Sequence, residues 1–103
     1  MTDIARLHRE LVARVLGDGG TAPTELRRAA FDAAGLDEPL RTLADKVAHQ
    51  AQRVSDDDIA AAGAAGLSED QIFEIVVCAA IGQADRQYSD ALAALAAATG
   101  GAE

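Results

Sequence analysis

A long stretch of the sequence, from Ser68 to Ala98, contains no proline and only one glycine, Gly82, and this narrows the range of folds open to the chain. Alanine, the strongest helix former, recurs from Ala79 to the end of this stretch. Ser68, followed three residues later by Gln71, matches the S-x-x-Q pattern of a helix N-terminus. We therefore expect one helix from Ser68 to about Ala98.

The apolar residues of this predicted helix lie on one side in its first half and on a different side in its second half. The first half places four apolar residues at helical spacing: Ile72, Ile75, Val76 and Ala79. The second half uses a stripe rotated by more than a quarter turn: Val77, Ile81, Ala84, Tyr88 and Leu95. Between Ile75 and Ile81 the helix is apolar on all sides, and such a helix has to be buried on all sides. A chain of 103 residues is too short to cover it alone, so we predict a homo-oligomer.

Four shorter helices are predicted ahead of the long one. The first covers Ile4 to Leu16, and its single apolar stripe is expected to be buried: Ile4, Leu7, Leu11, Val12 and Val15. A glycine-rich connector, residues 17–20, separates it from a second helix over about Thr24 to Ala34. The third helix follows Pro39, and its apolar stripe extends to Val54: Leu40, Leu43, Val47, Ala51 and Val54.

The fourth helix is placed by the residues at its two ends. Ser55 is a good N-cap, and Asp56–Asp58 lie in the first turn, where the helix dipole favours negative charge. Gly66 marks the end of the helix. The pattern as a whole predicts an all-α bundle of about five helices in one domain, residues 1–103. We divide this domain into N-terminal helices (1–36), a helical core (37–98) and a tail (99–103).

The charge and cysteine content exclude several classes of protein. The 17 acidic residues outnumber the 9 basic ones, and a net charge of −8 repels phosphate backbones and anionic lipid surfaces. We therefore expect neither nucleic acid nor membrane as a partner. No signal peptide is recognisable and the single cysteine, Cys78, has no disulfide partner, so we expect a cytoplasmic protein.

From Leu43 to Leu95 the sequence resembles the alkylhydroperoxidase D and carboxymuconolactone decarboxylase superfamily. The resemblance rests on Val54–Ile59 (VSDDDI), on Ala65–Ile72 (AGLSEDQI) and on the apolar run that leads to Arg86. It implies the helical fold of that superfamily and its habit of forming oligomers.

The chain departs from the redox members of this superfamily at their reactive site. Those members carry a Glu, a Cys-x-x-Cys and a following His on one helix, whereas Cys78 is alone. A peroxidase cycle that forms a disulfide within one chain needs a second cysteine. The resemblance therefore implies a member without the redox site, for which we assign no catalytic residue, expect no cofactor and leave open whether the protein is an enzyme.

A group of polar residues in the second half of the long helix is our candidate binding site. Gln83, Arg86 and Asp90 continue the line of the first apolar stripe, so polar side chains extend a buried face as they do in the wall of a pocket. Arginine can hold a carboxylate through two hydrogen bonds. We predict that Gln83, Arg86 and Tyr88 bind a small anionic metabolite. The alternative is a solvated surface with a weak pair between Arg86 and Asp90.

Other reactive side chains have structural interpretations. Cys78 lies in an apolar run that favours an inert thiol, and His8 fits a hydrogen-bonded residue at the edge of the core better than a general base. Asp56–Asp58 lack the spacing of a calcium loop, so we predict no metal site.

Two functions remain open at this point. The first is a carboxymuconolactone decarboxylase-like protein that binds or transforms a small anionic metabolite. The second is a non-catalytic accessory or structural subunit that acts through helix-mediated oligomerisation or a protein partner.

Overall fold

A computed structural model describes residues 2–17 and 19–100, and every regular element within these ranges is a helix. The five α-helices are α1 (Thr2–Leu16), α2 (Thr24–Asp32), α3 (Leu40–His49), α4 (Asp56–Ala64) and α5 (Glu69–Ala98). A short 3-10 helix, Ala51–Arg53, links α3 to α4. The predicted all-α class and number of helices are confirmed. No helix in this part of the chain combines the length and apolar character needed to cross a bilayer.

Two serines fix the starts of α4 and α5 as predicted. The Ser68 hydroxyl accepts a hydrogen bond from Gln71 N at 3.1 Å, and the Gln71 side chain accepts one from Ser68 N at 2.9 Å. Ser55 and Asp58 make the same reciprocal pair at the start of α4. Asp58 therefore completes a capping box as well as complementing the helix dipole.

Replacing Ser68 with alanine is expected to lower the free energy of unfolding by about 1 kcal/mol, the usual cost of losing an N-cap. Urea unfolding followed by circular dichroism measures the change. The control is Ser89→Ala, an exposed serine inside α5, which should leave the stability unchanged or slightly higher because alanine is the better helix former. Equal losses in the two variants would contradict a specific capping role.

The core forms where α5 meets the four other helices. Its members are mostly small or aliphatic: Ala22, Ala30, Phe31, Leu36, Leu40, Leu43, Ala44, Ala62, Ile72, Ile75, Cys78 and Ala79. The C-terminal end of α2 approaches α5 very closely. A Cβ atom added at Gly82 would lie 2.7 Å from the carbonyl carbon of Phe31 and 2.8 Å from its Cα. Gly82 is therefore the position at which α2 crosses α5.

The prediction that the third helix carries its stripe to Val54 is wrong. The helix ends at His49, where Gln50 leaves the helical conformation with φ −148° and ψ 59°. Ala51 is exposed in the 3-10 helix instead of lying on a buried stripe. The early end allows the chain to reverse, so that Lys46 Nζ contacts the Asp58 carboxylate on α4 at 2.9 and 3.0 Å.

The expectation of a buried apolar stripe on the first helix is wrong for three of its five residues. Ile4, Leu7 and Leu11 are 54%, 58% and 42% exposed. α1 packs on α5 through the neighbouring side of the helix, on which Val12 and Val15 are half-buried. Helical periodicity identifies residues that lie on the same side of a helix, but it does not show whether that side is buried. No part of the described chain covers the side of α1 that carries Ile4, Leu7 and Leu11.

The apolar segment of α5 is covered more fully than its sequence suggests. Ile75, Cys78 and Ala79 are buried, and Val76, Val77 and Ile81 are half-buried. The folded chain therefore covers most of the segment without a second subunit, and oligomerisation remains a prediction. Of the predicted connector and tail, Asp18 and residues 101–103 lie outside the described residues.

Candidate functional site

The helices α1 and α5 lie side by side in opposite directions. His8 Nε2 on α1 contacts Asp85 Oδ1 on α5 at 2.6 Å. Further along α1, the carbonyl of Val15 accepts a hydrogen bond from Cys78 Sγ at 3.5 Å. The contact further along α1 is made by a residue nearer the start of α5. The two helices are therefore antiparallel.

An exposed apolar stripe runs along each helix of this pair. The stripe on α1 consists of Ile4, Leu7 and Leu11 and continues at the same spacing to Arg14. On α5 the large exposed side chains Phe73 and Leu95 and the small exposed Ala84 lie on the same side of the helix as the half-buried Val77. Arg14, Phe73 and Val77 line one cavity, which shows that the two stripes lie on the same side of the pair.

We call the part of this surface that runs from the cavity toward the start of α1 and the end of α5 the α1–α5 face. It is defined by Ile4, Leu7, Leu11, Ala84 and Leu95. Leu95 is 59% exposed, comparable to Leu7. The three large apolar side chains of α1, together with Ala84 and Leu95 of α5, can bury apolar area against another helical surface.

The cavity itself has a volume of about 280 Å³ and opens between the C-terminal end of α1 and the N-terminal half of α5. Its walls include Val15, Phe73, Val77 and Cys78. Burial raises the pKa of the Cys78 thiol, so this side chain is protonated near neutral pH and contributes an apolar surface.

A buried arginine holds the connector between α1 and α2 next to the cavity. Arg27 is 3% exposed. Its Nε donates to Ala22 O at 3.1 Å, and its Nη1 donates to the carbonyls of Val15, at 3.1 Å, and Gly17. Its Nη2 donates to the Thr24 hydroxyl at 3.2 Å. Arg27 thus joins the end of α1, the connector and the start of α2.

Glu74 holds the two residues that follow the connector, Thr21 and Ala22, from the α5 side. Its carboxylate accepts hydrogen bonds from Ala22 N, from Thr21 N and from the Thr21 hydroxyl, each at 2.8 Å. The backbone hydrogen bond from Ala22, followed by those from Thr21, lowers the pKa of Glu74 below its usual value. Arg27 Nε lies 4.0 Å from the carboxylate, so the two charges partly offset each other.

The structure brings together two of the three predicted binding residues. Arg86 Nη2 donates to Gln83 Oε1 at 3.0 Å, and Arg86 Nη1 donates to the carbonyl of Phe31 at 2.6 Å. Tyr88 lies on another side of α5, where the centre of its ring is 4.5 Å from the centre of the His8 ring. The cavity described above is lined by none of the three predicted residues. Arg86 therefore caps the C-terminal end of α2, and its role in ligand binding remains a prediction.

Sequence reasoning missed Arg27 and Glu74, the two charged residues that hold the connector. One signal was present for Glu74, a single acid inside an otherwise apolar segment between Ile72 and Val77. No such signal marks Arg27, because the neighbouring Arg28 looks the same in sequence and is exposed. Within residues 2–17 and 19–100, no three histidine, cysteine or acidic side chains are grouped as a metal site requires.

Comparison with known proteins identifies no relative of the chain. No family model, no curated protein and no solved structure matches the chain. The resemblance to the alkylhydroperoxidase D and carboxymuconolactone decarboxylase superfamily therefore remains a prediction.

Proposed function

We propose that the chain is a non-catalytic accessory subunit that acts by self-association through the α1–α5 face. One observation carries the proposal: Ile4, Leu7 and Leu11 are 42% to 58% exposed in a row, next to an α5 stripe that ends at Leu95. Monomeric proteins rarely expose a continuous apolar surface of this kind. Two antiparallel helix pairs that pack face to face form a four-helix bundle, in which such stripes become the core.

The charges of the two helices favour a second copy of the chain as the partner. α1 carries three arginines and two acids, which gives a net charge of +1, and the acids are Asp3 and Glu10. α5 carries five acids and Arg86, which gives −4. A second copy that places its α5 against this α1 brings opposite net charges together, whereas two opposed α5 helices would repel each other. A twofold arrangement makes this contact twice.

Light scattering coupled to size-exclusion chromatography tests the proposal with Leu7→Asp. The wild-type protein is expected to have a multiple of the 10.6 kDa chain mass, and the variant the mass of one chain. A carboxylate buried in an apolar interface should weaken association at least about 30-fold, as at interface hot spots.

The matched control is Ala13→Asp, which adds the same charge at an exposed position on the opposite side of α1. This variant should keep the wild-type mass. A wild-type protein that runs as a folded monomer at every concentration would contradict the proposal, as would equal dissociation in the two variants.

The function implied by the family resemblance, binding of a small anionic metabolite near Gln83, Arg86 and Tyr88, stays a second proposal. We rank it below self-association because Arg86 already binds the carbonyl of Phe31 and the side chain of Gln83. Tyr88 is directed toward His8 on the α1 side of the helix.

A further inference from the structure

We infer that the cavity between α1 and α5 is a binding site for a small amphipathic organic anion, namely a carboxylate with an aromatic or branched aliphatic body. The site is separate from the predicted residues around Arg86 and does not depend on self-association, because all the described residues that line it belong to one copy of the chain. Its volume of about 280 Å³ lies close to the lower end of the range of roughly 300–1,000 Å³ that is typical of ligand sites.

The walls of the cavity suit an apolar body. Val15 and Val77 face it from the two helices, Phe73 forms part of the rim, and Cys78 adds a neutral thiol. The Cys78 thiol already donates to the carbonyl of Val15 at 3.5 Å, so it behaves as a wall and not as a nucleophile. Phe73 is 68% exposed, and a flat aromatic ligand would cover part of that ring.

The cavity is already formed in the free chain. Gly19 and Gly20 make one wall, and the two residues that follow them, Thr21 and Ala22, are hydrogen bonded to Glu74 of α5 and to Arg27 of α2. A Cβ atom at Gly20 would lie 3.2 Å from the guanidinium carbon of Arg27, so glycine allows the connector to approach this closely. A preformed site loses little free energy to ordering when a ligand binds.

Arg14 gives the cavity its preference for an anion. Arg27 and Glu74 also line the cavity, but they lie 4.0 Å apart and are engaged by the connector. Arg14 is an exposed side chain on the cavity wall, at the end of the α1 stripe, and gives the described residues that line the cavity a net positive charge. Its guanidinium can hold a carboxylate through two hydrogen bonds while the body of the ligand lies against Val77 and Phe73.

The test compares 2-naphthoate with 2-naphthamide, a neutral ligand of similar shape. The chain contains no tryptophan, so naphthyl fluorescence reports binding directly. We expect 2-naphthoate to bind about tenfold more tightly than the amide, the usual gain from a charge-assisted hydrogen bond. Arg14→Gln should remove this difference and leave the affinity for the amide unchanged.

Arg9→Gln is the matched control, because Arg9 is an exposed arginine of α1 that does not line the cavity. It should keep the tenfold preference for the naphthoate. The Leu7→Asp variant should also bind it normally, which separates this site from the α1–α5 face. The inference is overturned if the naphthoate does not bind, if it binds no better than the amide, or if Arg14→Gln binds it as well as the wild type does.

Discussion

Replacing Gly82 with alanine is expected to lower the free energy of unfolding by about 3 kcal/mol, the upper part of the usual range for overpacking. The new Cβ would meet the carbonyl oxygen of Phe31 and lie 2.7 Å from the carbonyl carbon. These are backbone atoms at the C-terminal end of α2, so no side-chain rotation can relieve the contact. Instead, α2 has to move away from α5 and break the hydrogen bond from Arg86 to Phe31. Urea unfolding followed by circular dichroism measures the loss.

Gly63→Ala is the control for this experiment. Gly63 lies inside α4, and a Cβ at this position meets no atom within 4 Å. Alanine should therefore raise the free energy of unfolding by about 0.5 to 1 kcal/mol through its higher helix propensity. If Gly82→Ala were as stable as Gly63→Ala, α2 would not cross α5 at this position.

Replacing Arg27 with methionine is the second change with a large expected effect, a loss of about 3 kcal/mol, because it removes a buried donor and leaves backbone carbonyls without their hydrogen-bond partner. Methionine keeps most of the side-chain volume but cannot donate to the carbonyls of Val15 and Ala22. It also leaves Glu74 without its nearby positive charge. We expect a lower midpoint in thermal and urea unfolding.

Arg28→Met provides the comparison on the adjacent residue. Arg28 is exposed, contacts Asp32 at 3.2 Å and lies 5.9 Å from the centre of the Phe31 ring. Removing these contacts should cost less than about 1 kcal/mol, because exposed ion pairs and cation–π contacts are weak. Similar losses for the two substitutions would mean that Arg27 is not a buried anchor.

The sequence was sufficient to predict the helices, because their signals are local. Ser55 and Ser68 begin α4 and α5 through hydrogen bonds that span only three residues, and both starts were predicted. The end of the third helix was misplaced at Val54 because apolar residues keep helical spacing across the break at Gln50. The contact of Lys46 with Asp58, which the reversal of the chain allows, joins residues that are not local in sequence.

The candidate sites were harder to predict because they depend on residues far apart in sequence. Periodicity grouped Ile4, Leu7 and Leu11 correctly but gave no information on whether another helix covers them. The site predicted at Gln83, Arg86 and Tyr88 combined two sides of α5, so only Gln83 and Arg86 meet. The cavity needs the connector, α1 and α5 together, and no single segment of the sequence carries its pattern.

The central position of α5 has a consequence for the synthesis of the chain. Each of the four shorter helices packs against α5, yet α5 is the last of the five in the sequence. A ribosome therefore releases α1 to α4 before the surface on which they assemble exists. Short helices are unstable on their own in water. The part of the core that contains Gly82 and Arg86 therefore cannot form before α5 has been synthesised.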